Sequence, residues 1–299
     1  MLSFLAVLID GTIYASWLFL VAAGLTVIYG VMRILNMAHG SFYAIGAYAA
    51  ASAIGWYFAD GTGSAGVSFL ILIGAALVAG LVVGTLVERG LLRFMYGRDE
   101  TLMVIITYAL LLILEDAMKI VFGVNPYFAY QPYTALGRST IAGLKVSNYD
   151  LVLIGIAVAV GLALWGWLER TNLGKILRAV IHDREVARAM GVNVRRMFTL
   201  TFLIGTTLGA LAGALTAPSI SVVPGIGVEV IVLAFAVVVV GGMGSIEGAA
   251  VGALLLGLSR AAAVHFAPQF ELFVIYGVMS LVLAIRPQGL FGRTLVRKI

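Results

Sequence analysis

The sequence predicts an all-α fold, a polytopic bundle of membrane-spanning helices. Three observations lead there. Hydrophobic residues make up 62% of the 299 residues, charged residues only 11%, and the mean hydropathy is +1.08. Soluble domains hold about 45–50% apolar and about 25% charged residues, so this chain could not cover a soluble surface. Several runs reach the roughly 20 apolar residues that a helix needs to cross a bilayer. No stretch shows the alternation in segments of about ten that a membrane β-barrel requires.

The apolar runs fall at 9–31, 37–58, 66–87, 101–122, 149–168, 198–217, 228–243, 247–266 and 270–285. The run at 228–243 is short for a full crossing. The count is therefore eight or nine, with one segment a candidate for re-entry. We treat 1–299 as one transmembrane domain with the loop 170–197 inside it. The first run contains Asp10 and lacks a basic start and an Ala-x-Ala site, so it reads as a span, not a cleaved leader.

Basic residues sit between the runs. Residues 170–196 hold Arg170, Lys175, Arg178, Arg184, Arg188, Arg195 and Arg196. Residues 88–98 hold Arg89, Arg93 and Arg98, and the C-terminal tail holds Arg293, Arg297 and Lys298. By the positive-inside rule these segments face the cytoplasm, which makes the C-terminus cytoplasmic. Loops 59–65 and 123–148 read as external. The net charge of +5 thus reflects orientation and gives no sign of a nucleic-acid partner.

Glycine accounts for 36 of the 299 residues. Gly205, Gly209 and Gly213, then Gly248, Gly252 and Gly257, and also Gly80 and Gly84, recur at helical spacing. Small faces of this kind let helices approach closely in lipid.

Signatures of catalysis are missing. Gly174–Lys175 is followed by Ile176, so there is no Walker A loop. GGMGSIEG at 241–248 has the wrong spacing for a dinucleotide loop. His39, His182 and His265 lie far apart, and no cysteine is present, so no metal site is expected. No cofactor and no catalytic residue is assigned.

The loop 169–197 has helical periodicity. Ile176, Val180, Ala187 and Met190 are placed on one apolar stripe, and Gly191 stands where a helix-terminating C′ glycine belongs. On the residues alone, this helix either rests on anionic headgroups or docks on a soluble partner. EVARAMG, with Glu185, Ala187 and Gly191, resembles the E-A-A-x-x-x-G loop of ABC importer permeases. LGKILRAVIHDREVARAMGVN is similar to the coupling loop of the branched-chain amino acid permease family, the LivH/LivM type. GLTVIYGVMRILNMAHGSFYAIGAY, VVVVGGMGSIEGAAVGALLLG and RPQGLFG resemble further blocks of that family, in the same order. The resemblance runs from about residue 10 to 292 and favours the LivH-like member.

That resemblance implies a multi-pass permease of a bacterial or archaeal cytoplasmic (inner) membrane, forming a path for branched-chain amino acids or a related small polar solute. It implies a second, LivM-like permease subunit, two ATP-binding cassette ATPases that hydrolyse ATP, and an external solute-binding protein. Glu185, Ala187, Arg188, Met190 and Gly191 are the expected ATPase-coupling residues. The rivals are a stand-alone secondary transporter and a channel-like facilitator.

Two interrupted segments, NMAHG and GGMGS, mark matching places in the two halves. Paired breaks of this kind point to a translocation path, because freed backbone groups line a cavity. Asn36, His39, Gly40, Gly242 and Gly244 are its candidates. Asn36 and His39 are expected to hydrogen-bond the freed backbone. Glu115–Asp116 interrupts LLLILEDAMKIVFG, and Lys119 stands four residues after Glu115, so an interfacial ion pair is expected.

Overall fold

In the computed structural model, which describes residues 2–61 and 63–292, each of the nine apolar runs becomes a helix. The tail residues Arg293, Arg297 and Lys298 lie outside the described residues. The chain starts with α1 (Leu2–Met32), breaks at 33–38, and continues in α2 (His39–Tyr57). α3 (Ala65–Val87) runs on through a π-helical turn, Glu88–Leu92, into the short α4 (Arg93–Met95). Next come α5 (Glu100–Phe122), α6 (Gln131–Ala135), a hairpin of β1 (Arg138–Ile141) and β2 (Leu144–Ser147), and α7 (Asn148–Arg170). Two short helices, α8 (Asn172–His182) and α9 (Arg184–Ala189), lead to α10 (Val194–Thr216). The chain closes with α11 (Ile226–Gly241), α12 (Ile246–Phe266) and α13 (Glu271–Ile285).

Seven helical stretches are long and apolar enough to cross a membrane: α1, α3–α4, α5, α7, α10 with the turn after it, α12 and α13. α2 and the 16-residue α11 are not among them. The hairpin departs from an all-helical reading. Ala142 and Gly143 both have positive φ, +49° and +89°, the geometry of a two-residue type I′ turn. Ala-Gly is not the Asn-Gly or Asp-Gly pair that announces such a turn in sequence.

α1 lies at the centre, packed against α7, α10, α11 and α12, while α10 also packs on α2 and α3. α2 and α11 fill the interior, and α13 is the most exposed span. Crossings are tight because the glycine faces admit backbone and side chains that a Cβ would exclude. Gly205 packs on Gly24 and Ile28, Gly209 on the His39 ring, and Gly213 on the Tyr43 carbonyl. Without water competing, close van der Waals packing of this kind is what holds helices together in lipid.

A Cβ at Gly213 would run into the Tyr43 carbonyl oxygen, and both sit on backbone that cannot yield. Gly213→Val is expected to cost about 1–3 kcal/mol through overpacking and to lower the yield of monodisperse protein severalfold on detergent chromatography. Gly155→Val, where a side chain meets open space, should leave the profile unchanged.

Candidate functional site

Two breaks in the helical pattern define the interior. The first is 33–38. Arg33 adopts φ +57°, and its N–H still reaches the Tyr29 carbonyl at 2.9 Å. The chain then runs back along α1, so that α2 starts beside the middle of that helix. His39, fully buried, places Nε2 3.1 Å from the Val21 carbonyl, which makes Nε2 the protonated nitrogen.

The freed backbone of this break is met chiefly by Thr107 of α5, a residue absent from the sequence-based candidates. Its hydroxyl accepts from the Met37 N–H at 3.1 Å and shares its one proton between the Leu35 carbonyl at 3.2 Å and the Val104 carbonyl of its own helix at 3.1 Å. Asn36 does not do this work. It is fully buried, and neither amide atom of its side chain has a partner among the described residues. His39 contacts a carbonyl inside α1 instead of the break, and its Nδ1 has no partner. The signal for Thr107 was slight, a small hydroxyl among apolar neighbours in a run that also holds Thr101 and Tyr108.

GGMGS does break the helical pattern, as the turn between α11 and α12, but the second break at the interior is a different one. It lies at 220–225, after the 3₁₀ turn Ala217–Ser219, and α11 starts from Gly225 at φ +92°. Val222 pairs with Tyr127 through two backbone bonds of 2.9 and 3.0 Å. The Gly225 N–H donates to Glu115 Oε1 at 2.5 Å. The expected Glu115–Lys119 ion pair is therefore replaced. Lys119 pairs with the exposed Asp116 at 3.0 Å, while Glu115 is 7% exposed and turns inward. One buried stripe of α5 thus serves both breaks, through Thr107 and Glu115.

Gly40 and Gly227, near the starts of α2 and α11, pack backbone to backbone; a Cβ on Gly40 would strike the Gly227 carbonyl. Gly242 and Gly244, at φ +104° and +88°, form the tight turn between α11 and α12. That turn packs Gly244 on Gly30. Leu290 and Phe291 donate N–H bonds of 2.9 Å to the Val240 and Gly241 carbonyls, so RPQGLFG closes the end of α11. Of the five path candidates, Asn36, His39 and Gly40 lie at the interior junction, and Gly242 and Gly244 at the basic end.

The basic loop forms two helices, not one. Asp183 breaks them at φ −152° and caps α9, accepting from Glu185 and Val186 at 2.9 and 3.0 Å. Gly191 ends α9 at φ +86°: Val192 N–H reaches Ala187 O and Gly191 N–H reaches Arg188 O, each at 3.0 Å, a Schellman motif. The expected single stripe is split. Leu177 and Val180 of α8 and Ala187 of α9 are buried, while Met190 is 80% and Val186 58% exposed. Glu185 and Arg188 are also exposed.

Arg184 links this loop to the interior. Its Nη2 donates to the last carbonyls of α1, Met32 at 2.8 Å and Val31 at 3.4 Å, and its guanidinium lies 5.0 Å from the Phe198 ring of α10. Burial, with Arg33 nearby, pushes this guanidinium below its ordinary pKa, and Glu100 opposes the shift. A cation at a helix C-terminus satisfies orphan carbonyls and the dipole together.

Nine apolar helices among the described residues, with an interrupted interior and an exposed helical segment fastened to the central helix, define a membrane permease. The chain belongs to the family described as "Branched-chain amino acid transport system / permease component", which it matches over residues 7–283. As a permease component it is not itself an enzyme. BraD of Pseudomonas aeruginosa, named a high-affinity branched-chain amino acid transport system permease protein, is 31% identical over 302 residues, covering 99% of this chain and 98% of BraD. LivH of Escherichia coli K12, named in the same terms, is 27% identical over 307 residues, covering 100% of this chain and 98% of LivH. Such full-length matches put the chain with the LivH-like members. A chain of PsaBC from Streptococcus pneumoniae, solved in complex with Fab, shares the fold at TM-score 0.50 and 12% identity, with 93% of this chain and 91% of that one covered.

Thr107→Val would leave the Met37 N–H and Leu35 carbonyl unmet at membrane depth. A loss of about 1–3 kcal/mol is expected, read as a lower midpoint of thermal unfolding in detergent, and Thr107→Ser should restore most of it.

Proposed function

We propose that this chain is the LivH-like membrane subunit of an ABC importer for branched-chain amino acids or a related small polar solute. It pairs with a homologous LivM-like permease, receives solute from an external binding protein, and is driven by two ATPase subunits that hydrolyse ATP. The single domain 1–299 resides in a bacterial or archaeal inner membrane, with the Arg-rich end and the C-terminus in the cytoplasm.

The observation that supports this best is Arg184. The exposed α9 surface of Glu185, Val186, Arg188 and Met190 calls for a partner, because the apolar side chains of Val186 and Met190 are largely exposed there. Buried Ala187 and the Gly191 terminus give that surface a fixed shape. Arg184, at the start of the same helix, grips the end of α1 where the 33–38 break begins. A partner that moves α9 therefore acts on the break. In population-shift terms, nucleotide favours one docked arrangement, and Arg184 hands that bias to the spans. Asn36, His39 and Gly40 shape the path at the junction, and Gly242 and Gly244 its cytoplasmic end.

Charge reversal at Glu185 combined with Gly191→Val should uncouple the transporter. The chain is expected to insert and assemble, while ATP-driven leucine uptake into proteoliposomes falls at least tenfold. Unchanged uptake would remove α9 from the coupling role. Arg184→Ala should lower uptake with the ATPases still bound; release of the ATPases would instead make Arg184 part of the docking surface.

A further inference from the structure

A cavity of about 350 Å³ opens between the outward end of α1, the start of α7, the turn after α10, and α12. This size lies within the range of about 300–1,000 Å³ usual for small-molecule sites. Its walls carry both signs of charge. Asp10 and Asp150 contribute carboxylates, and Arg260 contributes a guanidinium. Trp17, Leu153 and Ile220 contribute apolar surface, and Thr216 a hydroxyl.

The polar groups are held in place. Trp17 Nε1 donates to the Tyr43 hydroxyl at 3.2 Å, and that hydroxyl bonds Thr216 Oγ1 at 2.6 Å, which fixes the inner wall. Asp150 Oδ2 accepts from the Tyr133 hydroxyl at 3.1 Å, so Oδ1 is left for a ligand. Asp10 reaches His265 at 2.8 Å and remains 57% exposed on its side chain, at the mouth. Arg260 lies 4.0 Å over the Tyr14 ring and pairs with Glu271 through Nη2, leaving the other donors of its fork. Charged groups at membrane depth are costly, and they mark ligand pathways when they gather around a cavity.

We propose that this cavity binds a zwitterion: a primary ammonium group against Asp150 and Asp10, and a carboxylate or phosphate against Arg260. The apolar wall of Trp17, Leu153 and Ile220 takes the adjoining hydrocarbon. Two sources share this chemistry, a free amino acid and an ethanolamine phospholipid headgroup. The amino-acid source rests on the importer reading above; the zwitterion chemistry does not.

The test uses the chain assembled with its partner subunits in phosphatidylglycerol nanodiscs. Radiolabelled leucine and phosphatidylethanolamine are titrated separately, and ATP-driven leucine uptake is measured in parallel. Asp150→Asn is expected to weaken binding of one probe at least tenfold. Ile220→Trp, which fills the cavity from a residue 37% exposed and leaves every charge in place, should do the same. Weakened leucine binding assigns the site to the amino acid, and weakened phospholipid binding assigns it to the headgroup. If neither probe binds, or if both variants bind as the parent does, the site is overturned. Uptake by a parent complex that binds neither probe would leave the importer reading standing without the site. Binding without uptake would do the reverse.

Discussion

A backbone group in hydrocarbon has no water to turn to, and the interior of this protein is organised by that constraint. Helices satisfy themselves, but the breaks at 33–38 and 220–225 do not. Each is repaired by a side chain or strand pairing from elsewhere in the chain: Thr107 and Arg184 at the first, Glu115 and Tyr127 at the second. α5 takes part in both repairs. Its polar stripe residues are eight positions apart, about 12 Å along the axis at 1.5 Å per residue, which sets the distance between the breaks along α5.

The repairs also settle an electrostatic problem. α2 and α11 both begin near the Gly40–Gly227 contact, so two positive helix ends approach one another. Glu115 brings a carboxylate to the start of α11, which is worth about 0.3–1 kcal/mol in exposed settings and more when partly buried. That carboxylate offsets part of the repulsion between the two helix ends. Its inward turn follows from need: a buried N–H without a partner costs about 1–3 kcal/mol, whereas Lys119 finds Asp116 at no such cost.

Much of this was legible in the sequence. The nine apolar runs gave nine helices, since length and hydropathy are local properties. The glycine faces of α10 and α12 meet backbone as their spacing implied, and Gly191 ends its helix as a C′ glycine does. What escaped was set by distant partners. Thr107 is one hydroxyl in an oily run, and nothing nearby shows that it faces residues 35 and 37. Glu115 has a plausible partner four residues on, and local reasoning pairs them. Only the fold brings Gly225 to it. GGMGS looked like the second break because glycine signals a turn but not its depth. The second break reads ISVVPG, which is nearly as apolar as a span.

The same long-range logic separates the two halves of the basic loop. α8 is tied down: Thr171 caps it, Arg178 pairs with Glu169 at the end of α7, and Leu177 and Val180 are buried. α9 is held differently, by Ala187 beneath it, Asp183 and Gly191 at its ends, and Arg184 on α1. α9 thus abuts α8 on one side and holds the end of α1 through Arg184 on the other. Arg184 also spans two spans at once, bonding the end of α1 and lying against Phe198 of α10. α1 and α10 enclose the start of α2, where His39 meets Val21 and Gly209, so Arg184 touches two of the elements that wall the first break. A loop bound only through surface ion pairs is held weakly, whereas a half-buried guanidinium nitrogen shared between two helix carbonyls ties α9 to α1 more firmly.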